Sequence, residues 1–315
     1  MITLNLIDLE KSDIKYKISQ FPDRQQNIVI KDNYIENLYN YSIKIISRLN
    51  NWFDLELIVC TVACLKELNV EKIHLYTPYF VGARSDRKFE DGGNWYLKQV
   101  ICPVINSLNL ASITVLDPHS WVLGNLLNNF KYIDNENLVT HFAIPEIIKE
   151  MKLPAITDDK YHVTPKGLHY DKRGFDNLIL ISPDAGASHK VEKIAKALGY
   201  TKDIITCNKE RDTQGNLTKT VVPLNTKLHA DKDFIIVDDI CDGGRTFTNI
   251  ADNIKQNGYI KNKIYLVITH GIFSAGFEEL TKYFDSIYCT NSYSNIGDLQ
   301  GNNLQKTKTK QLNVY

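Results

Sequence analysis

Short β-branched runs alternate with amphipathic stretches along most of this chain. Met1–Ile7 and Asn27–Ile30 alternate or run apolar, which predicts strands at the edge of a first domain. Trp52–Leu68 carries Leu55, Val59, Val62, Ala63 and Leu65 at helical spacing, and Trp95–Leu108 repeats that pattern. Between and after them, Lys72–Thr77 and Ile113–Leu116 read as strands, with Leu123–Phe130 and Phe142–Lys152 as helical connectors. Thr157–Asp176 is rich in turn formers and charge, so it reads as a surface insertion. Then come strand Leu178–Ile181, helix Ser188–Leu198, strand Phe234–Val237 with a helix to Asn257, and strands Ile264–Thr269 and Ile287–Cys289. This alternation predicts an α/β protein whose sheets are mainly parallel and flanked by helices. Two similar βα units place an N-terminal domain at 1–140 and a second at 141–295, facing each other across a cleft. A polar, lysine-rich tail at 296–315 has little core-forming character.

Length and composition exclude several function classes. At 315 residues the chain can bury two separate cores. Lys+Arg and Asp+Glu are both 37, so no bulk charge draws it to nucleic acid or acidic membrane. No apolar run reaches bilayer length, and Met1–Glu10 lacks the basic start and cleavage site of a secretory signal. The six cysteines follow no metal-ligand spacing and read as small buried hydrophobes in a reduced, cytoplasmic protein.

Four constellations carry candidate chemistry. In Phe234–Thr248 an apolar strand runs into Asp238 and Asp239, then Asp242, a Gly243-Gly244 bend, Arg245, and hydroxyls Thr246 and Thr248 opening a helix. A glycine turn at a helix N-terminus cradles phosphate, while the adjacent carboxylates suit sugar hydroxyls or a metal ion. A capped helix explains Asp239 and Thr246 alone, but not three acids beside paired glycines. Second, Arg84, Ser85, Asp86, Arg87 and Lys88 follow a strand, where α/β folds place ligands, and three cations suit a polyphosphate. Third, His119 ends Asp117-Pro118-His119, and on residues alone a structural His is as good a reading as a ligand. Fourth, Asn208-Lys209-Glu210-Arg211-Asp212 precedes a mobile-looking Thr213–Thr220, and most charged loops only stay wet.

Phe234–Thr248 resembles the ribosyl-diphosphate motif of type I phosphoribosyltransferases. Together with Pro78–Lys88, Asp117-Pro118-His119, Ser182-Pro183-Asp184-Ala185-Gly186 and Lys209-Glu210-Arg211, it resembles the ribose-phosphate pyrophosphokinases over residues 20 to 292. His270–Phe273 and Thr290-Asn291 also match that family's late strands. The resemblance implies two phosphoribosyltransferase-like domains and transfer of the β,γ-diphosphoryl group of MgATP to the anomeric hydroxyl of a 5-phosphorylated ribose, with AMP leaving. It implies ATP binding by Arg84, Ser85, Arg87, Lys88 and His119, with Phe21 and Asp23 lent to a neighbouring subunit of a homo-oligomer. His119 and Asp184 would bind Mg2+, Asp238 and Asp239 the ribose hydroxyls, and Asp242 to Thr246 the 5-phosphoryl end. Lys209 and Arg211 would stabilise the transition state on a flexible loop, and the product would feed nucleotide or NAD metabolism.

The chain departs from the family at several points. Ser85 replaces a usual Gln, and Gln25 replaces a Glu. The phosphate loop has Gly243 where the family has Thr and Arg245 where it has Gly. Arg seeks bidentate contact with phosphate, so the altered loop suits a diphosphate ester such as ADP-ribose. With Arg245 in solvent, ribose 5-phosphate remains the acceptor. A phosphoribosyltransferase joining activated ribose to a base fits Phe234–Thr248 equally, but not residues 78–88 or His119. A non-catalytic regulatory homologue is disfavoured because Lys209 and Arg211 are retained.

Overall fold

The computed structural model describes residues 1–31, 35–152, 161–211, 217–297 and 308–315. Its contacts divide the chain into two compact units, Met1–Asp134 with Val314–Tyr315, and Asn135–Asn313.

The first unit is built on strands β1 (Ile2–Asn5), β4 (Ile43–Ile46), β5 (Ile73–Thr77), β6 (Ser112–Leu116) and β7 (Phe130–Ile133), in that spatial order. All four pairings are parallel. Strands β2 (Tyr16–Gln20) and β3 (Gln26–Ile30) form a separate antiparallel hairpin. Asn27–Ile30, expected as a strand at the edge of the first domain, is a strand of this hairpin and lies along helix α1 (Trp52–Glu67), where the Gln26 N–H donates to Glu56. The α1 face Leu55, Ile58, Val62 and Leu65 is buried against Ile45, Leu75 and Ile113 of the sheet core. Three strands of this unit escaped the sequence reading, the hairpin strand β2 among them. The four residues of β4 are a short apolar run without alternation, and β7 follows a leucine-rich segment that masks its edge character. Helix α2 (Cys102–Ser107) is preceded by a wider π-type turn at Leu97–Ile101, and α3 (Val122–Leu126) is shorter than expected.

In the second unit, α4 (Ile144–Glu150) leads to hairpin β8 (Tyr161–Val163) and β9 (His169–Asp171), then α5 (Lys172–Asp176). Strand β10 (Leu178–Ser182) passes into α6 (Ser188–Leu198), β11 (Ile205–Thr206) and hairpin β12 (Asn208–Arg211) and β13 (Leu217–Val221). After the short α7 (Thr226–His229) come β14 (Asp233–Cys241), α8 (Arg245–Gln256), β15 (Ile264–Gly271), α9 (Glu278–Tyr283), β16 (Ser286–Thr290) and β17 (Thr309–Leu312). The six-stranded sheet runs β11-β10-β14-β15-β16-β17, parallel throughout. Its central strands are apolar on both faces, as a sheet covered on both sides requires. Part of the expected polar tail is therefore a strand: β17 pairs with β16, and Lys310 bonds to Glu146 and Glu150 of α4. No helix among the described residues is long and apolar enough to cross a membrane.

Candidate active site

Parallel strands converge their carboxyl ends on one edge of each sheet, where loops and helix N-termini gather. In the second unit that edge is formed by β10, β14, β15 and β16. Strand β14 runs on through Asp238 and Asp239 to Cys241, so both acids lie within the strand and not after it. Asp239 is buried and its Oδ2 lies 2.8 Å from Nζ of Lys190 on α6. The Asp239 N–H donates to Oδ1 of Asp238 at 2.9 Å. Burial, then the Asp239 charge, pushes the Asp238 carboxyl well above the usual carboxylate range; Asp184 adds to this and Lys190 opposes it.

Asp184 belongs to the turn after β10. Its Oδ1 accepts from the Ala187 N–H at 3.0 Å, and its carbonyl accepts from Ser182 Oγ at 2.8 Å. Among the described residues no three His, Cys, Asp or Glu side chains form a ready metal cage. The donor chemistry of Asp184 beside Asp238 still fits a hard cation, since oxygens crowded by like charge gain from one. His119 belongs to the other compact unit, and Asp184 to this one.

The turn after β14 is shaped by its glycines. Gly244 has φ +79, and a Cβ there would lie 2.9 Å from Leu280 Cδ2, so only glycine closes the bend. Around Gly243 a Cβ would meet nothing within 4 Å. Asp242 accepts from the Ser274 hydroxyl, which ties the turn to the segment after β15. Arg245 is the first residue of α8 and is exposed; no side chain caps this helix start. The Phe247 N–H folds back onto the Gly244 carbonyl at 3.0 Å, which leaves the N–H groups of Arg245 and Thr246 at the open end, where the helix dipole favours an anion. Phe247, Ile250, Ala251 and Ile254 bury the opposite face and fix the helix. Deeper in this edge, His270 Nδ1 shares a 2.8 Å hydrogen bond with Ser292 Oγ, and both residues are buried.

The first unit brings its expected residues to the ends of adjacent strands β5 and β6. Tyr79, Phe80 and Ala83 are buried, and Gly82 at φ +72 lies under Tyr96, whose ring would be 2.5 Å from a Cβ. Hydrogen bonds from Ala83 N–H to Phe80 O and from Ser85 N–H to Gly82 O fold the turn, leaving Arg84, Arg87 and Lys88 exposed. Arg87 lies 5.8 Å from the Phe89 ring centroid, and Lys88 3.9 Å from Asp91. His119 is exposed beyond buried Asp117, whose backbone is left-handed at φ 39 and whose N–H donates to Ile133 O at 2.6 Å. Phe21 and Asp23 occupy the tip of the β2–β3 hairpin, closed by Phe21 N–H to Gln25 O at 2.9 Å. Lys209 and Arg211, expected on an open loop, lie on β12, with Lys209 opposite Thr220 of β13. Asp212 and residues 213–216 lie outside the described residues.

Sequence reasoning missed Lys190 and Ser274. A signal for Lys190 existed: α6 opens with His189 and Lys190 and has no acid in its first turn, the reverse of what the helix dipole prefers.

Residues 167–297 match the family model described as phosphoribosyl transferase domain. Ribose-phosphate pyrophosphokinase 4 of Saccharomyces cerevisiae is 25% identical over 281 residues, covering 88% of this chain and 76% of its own. The ribose-phosphate pyrophosphokinase of Mycoplasmopsis pulmonis is 26% identical over 248 residues, covering 78% of this chain and 66% of its own. Among solved structures, phosphoribosylpyrophosphate synthetase from Mycobacterium smegmatis shares the fold with a TM-score of 0.73 at 15% identity, over 97% of this chain and 88% of that one.

Proposed function

The chain belongs to the ribose-phosphate pyrophosphokinase family, and from that premise we propose that it transfers the β,γ-diphosphoryl group of ATP to the anomeric hydroxyl of a 5-phosphorylated ribose. The attacking hydroxyl oxygen bonds to the β-phosphorus, the α–β bridge breaks, and AMP leaves. The observation that carries this reading is the continuous segment of β14, glycine turn and α8, which joins the adjacent acids Asp238 and buried Asp239 to an uncapped helix N-terminus. Asp238 and Asp239 hold the ribose hydroxyls, and the N–H groups of Gly243 to Thr246 receive the 5-phosphoryl group. Arg84, Ser85, Arg87 and Lys88 bind the ATP phosphates, with Phe21 and Asp23 contributed by a second copy. Mg2+ bound by Asp184 and His119 would neutralise phosphate charge. Lys209 and Arg211 act on the charge developing at the leaving group, the main task in phosphoryl-type transfer.

AMP release from ATP with ribose 5-phosphate, in the absence of any base, tests this reading. A requirement for a nucleobase and prior activated ribose would replace it with a phosphoribosyltransferase.

One observation favours a second acceptor. Open space at Gly243 and exposed Arg245 at the helix start leave room, and a bidentate donor, for a second phosphate. ADP-ribose has that diphosphate and a free anomeric hydroxyl. Parallel assays with both acceptors decide between them.

A further inference from the structure

The chain re-enters the first unit at Val314, and the two residues there meet side chains from the end of β5 and from the segments that follow β1 and β4. Tyr76 Oη donates to the Val314 carbonyl at 3.0 Å. Arg48 Nη2 donates to Tyr315 Oη at 2.9 Å. Lys11 Nζ donates to the Tyr315 carbonyl at 3.0 Å and lies 5.6 Å from the centre of its ring. Lys11 follows β1, Arg48 follows β4, and Tyr76 is the penultimate residue of β5.

These anchors lie at the root of the turn that carries Arg84, Arg87 and Lys88. Ile46 of β4 pairs with Tyr76, and the Ser47 N–H donates to the Tyr76 carbonyl at 3.1 Å. The next residue, Thr77, donates its hydroxyl to the Tyr79 carbonyl at 2.8 Å, and Pro78 O accepts from the Leu116 N–H. Fixing Arg48 and Tyr76 therefore fixes the end of β5, from which residues 78–88 depart, together with the end of its neighbour β4. The phenol of Tyr315 gives Arg48 a defined acceptor, and the Lys11 ammonium holds the ring and its carbonyl together.

We propose that Tyr315 is a positioning residue for the nucleotide turn at 78–88, acting through Arg48 and, by way of Val314, through Tyr76. This inference rests on the reading of that turn as the ATP site. It assigns Tyr315 no contact with ATP.

The test uses the full chain with Tyr315→Ala, Tyr315→Phe and Tyr76→Phe. ATP binding is measured by titration calorimetry, KM is measured for ATP and for the acceptor, and trypsin cleavage after Arg84, Arg87 or Lys88 is timed. Loss of one charge-assisted bond and of the Lys11 and Arg48 contacts with the ring should weaken ATP about tenfold in Tyr315→Ala. The acceptor KM should stay unchanged, and cleavage within the turn should accelerate. Tyr315→Phe keeps the ring but removes the acceptor for Arg48, so it should fall between wild type and Tyr315→Ala. Tyr76→Phe removes the donor to Val314 and should loosen the turn on its own. If Tyr315→Ala fails to fold, the two phenylalanine variants carry the test. Unchanged ATP affinity and unchanged cleavage in the folded variants overturn the proposal. A rise in turnover overturns it too, because Tyr315 would then be a plug. Wild type that binds no ATP refutes the functional reading, while the cleavage comparison still judges the positioning role.

Discussion

Lys190 answers a problem created by Asp238 and Asp239. Two adjacent carboxylates at a buried strand end repel, and burial penalises both charges. The Lys190 ammonium, 2.8 Å from Asp239, offsets part of that penalty. Removing one partner of a buried pair costs about 3–5 kcal/mol because the other charge is left uncompensated. Lys190→Met should therefore weaken acceptor binding by more than about tenfold while leaving the KM for ATP unchanged. Because Lys190 opposes the raised pKa of Asp238, its loss should also move the acid limb of the acceptor-binding profile to higher pH. An unmoved limb with normal acceptor affinity would show the pair to be idle. Arg245 admits an equally direct measurement. If it selects a diphosphate acceptor, Arg245→Gly should reduce reaction with ADP-ribose about tenfold to a hundredfold more than with ribose 5-phosphate, the worth of one charge-assisted bond. Gly243→Thr meets open space and should be tolerated, whereas Gly244→Ala presses on Leu280 at a positive φ and should cost stability. Equal loss on both acceptors would make Arg245 structural.

At the scale of elements, Lys202 supplies a pH signature. Its ammonium donates to the carbonyls of Phe175, Asp176 and Leu178, at the end of α5 and the start of β10. Burial lowers its pKa from 10.5 to about 8. The unfolded chain thus holds a proton that the folded chain has released between those values, so stability should rise with pH across that window. Melting curves of wild type and Lys202→Met compare the slopes, and the variant should lose this part of the rise. An identical slope would mean that Lys202 is not the group responsible. Long amphipathic helices and buried strands were legible from sequence because their periods are unambiguous: α6 spans the expected Ser188–Leu198, and α1 ends one residue before the expected Leu68. What escaped was set by long-range pairing. Asp238 and Asp239 carry no strand propensity, yet the ladder with β15 extends the strand through them. The charged run Asn208–Arg211 alternates no apolar residues, and its strand character comes from pairing with β13. For the candidate site, the acids and glycines were visible as a local motif. Ser274 was not, because it approaches from another element, and for Lys190 the basic start of α6 gave a signal but not its partner.

For the molecule as a whole, the hairpin β2–β3 argues for assembly. It lies on α1 and presents exposed Ile18, Phe21 and Val29, with Trp52 and Phe53 exposed at the start of that helix. Gln26 meets Glu56 and Cys60, and Ile28 meets Cys64 one turn later, so the Phe21–Gln25 tip lies toward the helix N-terminus that carries Trp52 and Phe53. Exposed apolar residues gathered in this way are what an interface covers. The expected occupant is a second copy, whose nucleotide site the Phe21 ring would complete. Two substitutions separate assembly from that contribution. Ile18→Lys places a charge in the interface, and should lower both the mass by light scattering and the activity. Phe21→Ala removes only the lent ring; the mass should hold while the KM for ATP rises about tenfold, the upper range for loss of one base-stacking contact. Mixing Phe21→Ala with a chain defective in its own turn, Arg84→Ala, should restore activity, because a mixed pair can contain one site with both wild-type contributions. A wild type that is a fully active monomer at assay concentration would remove the need for a partner, and would leave Phe21 as an exposed hairpin residue and nothing more.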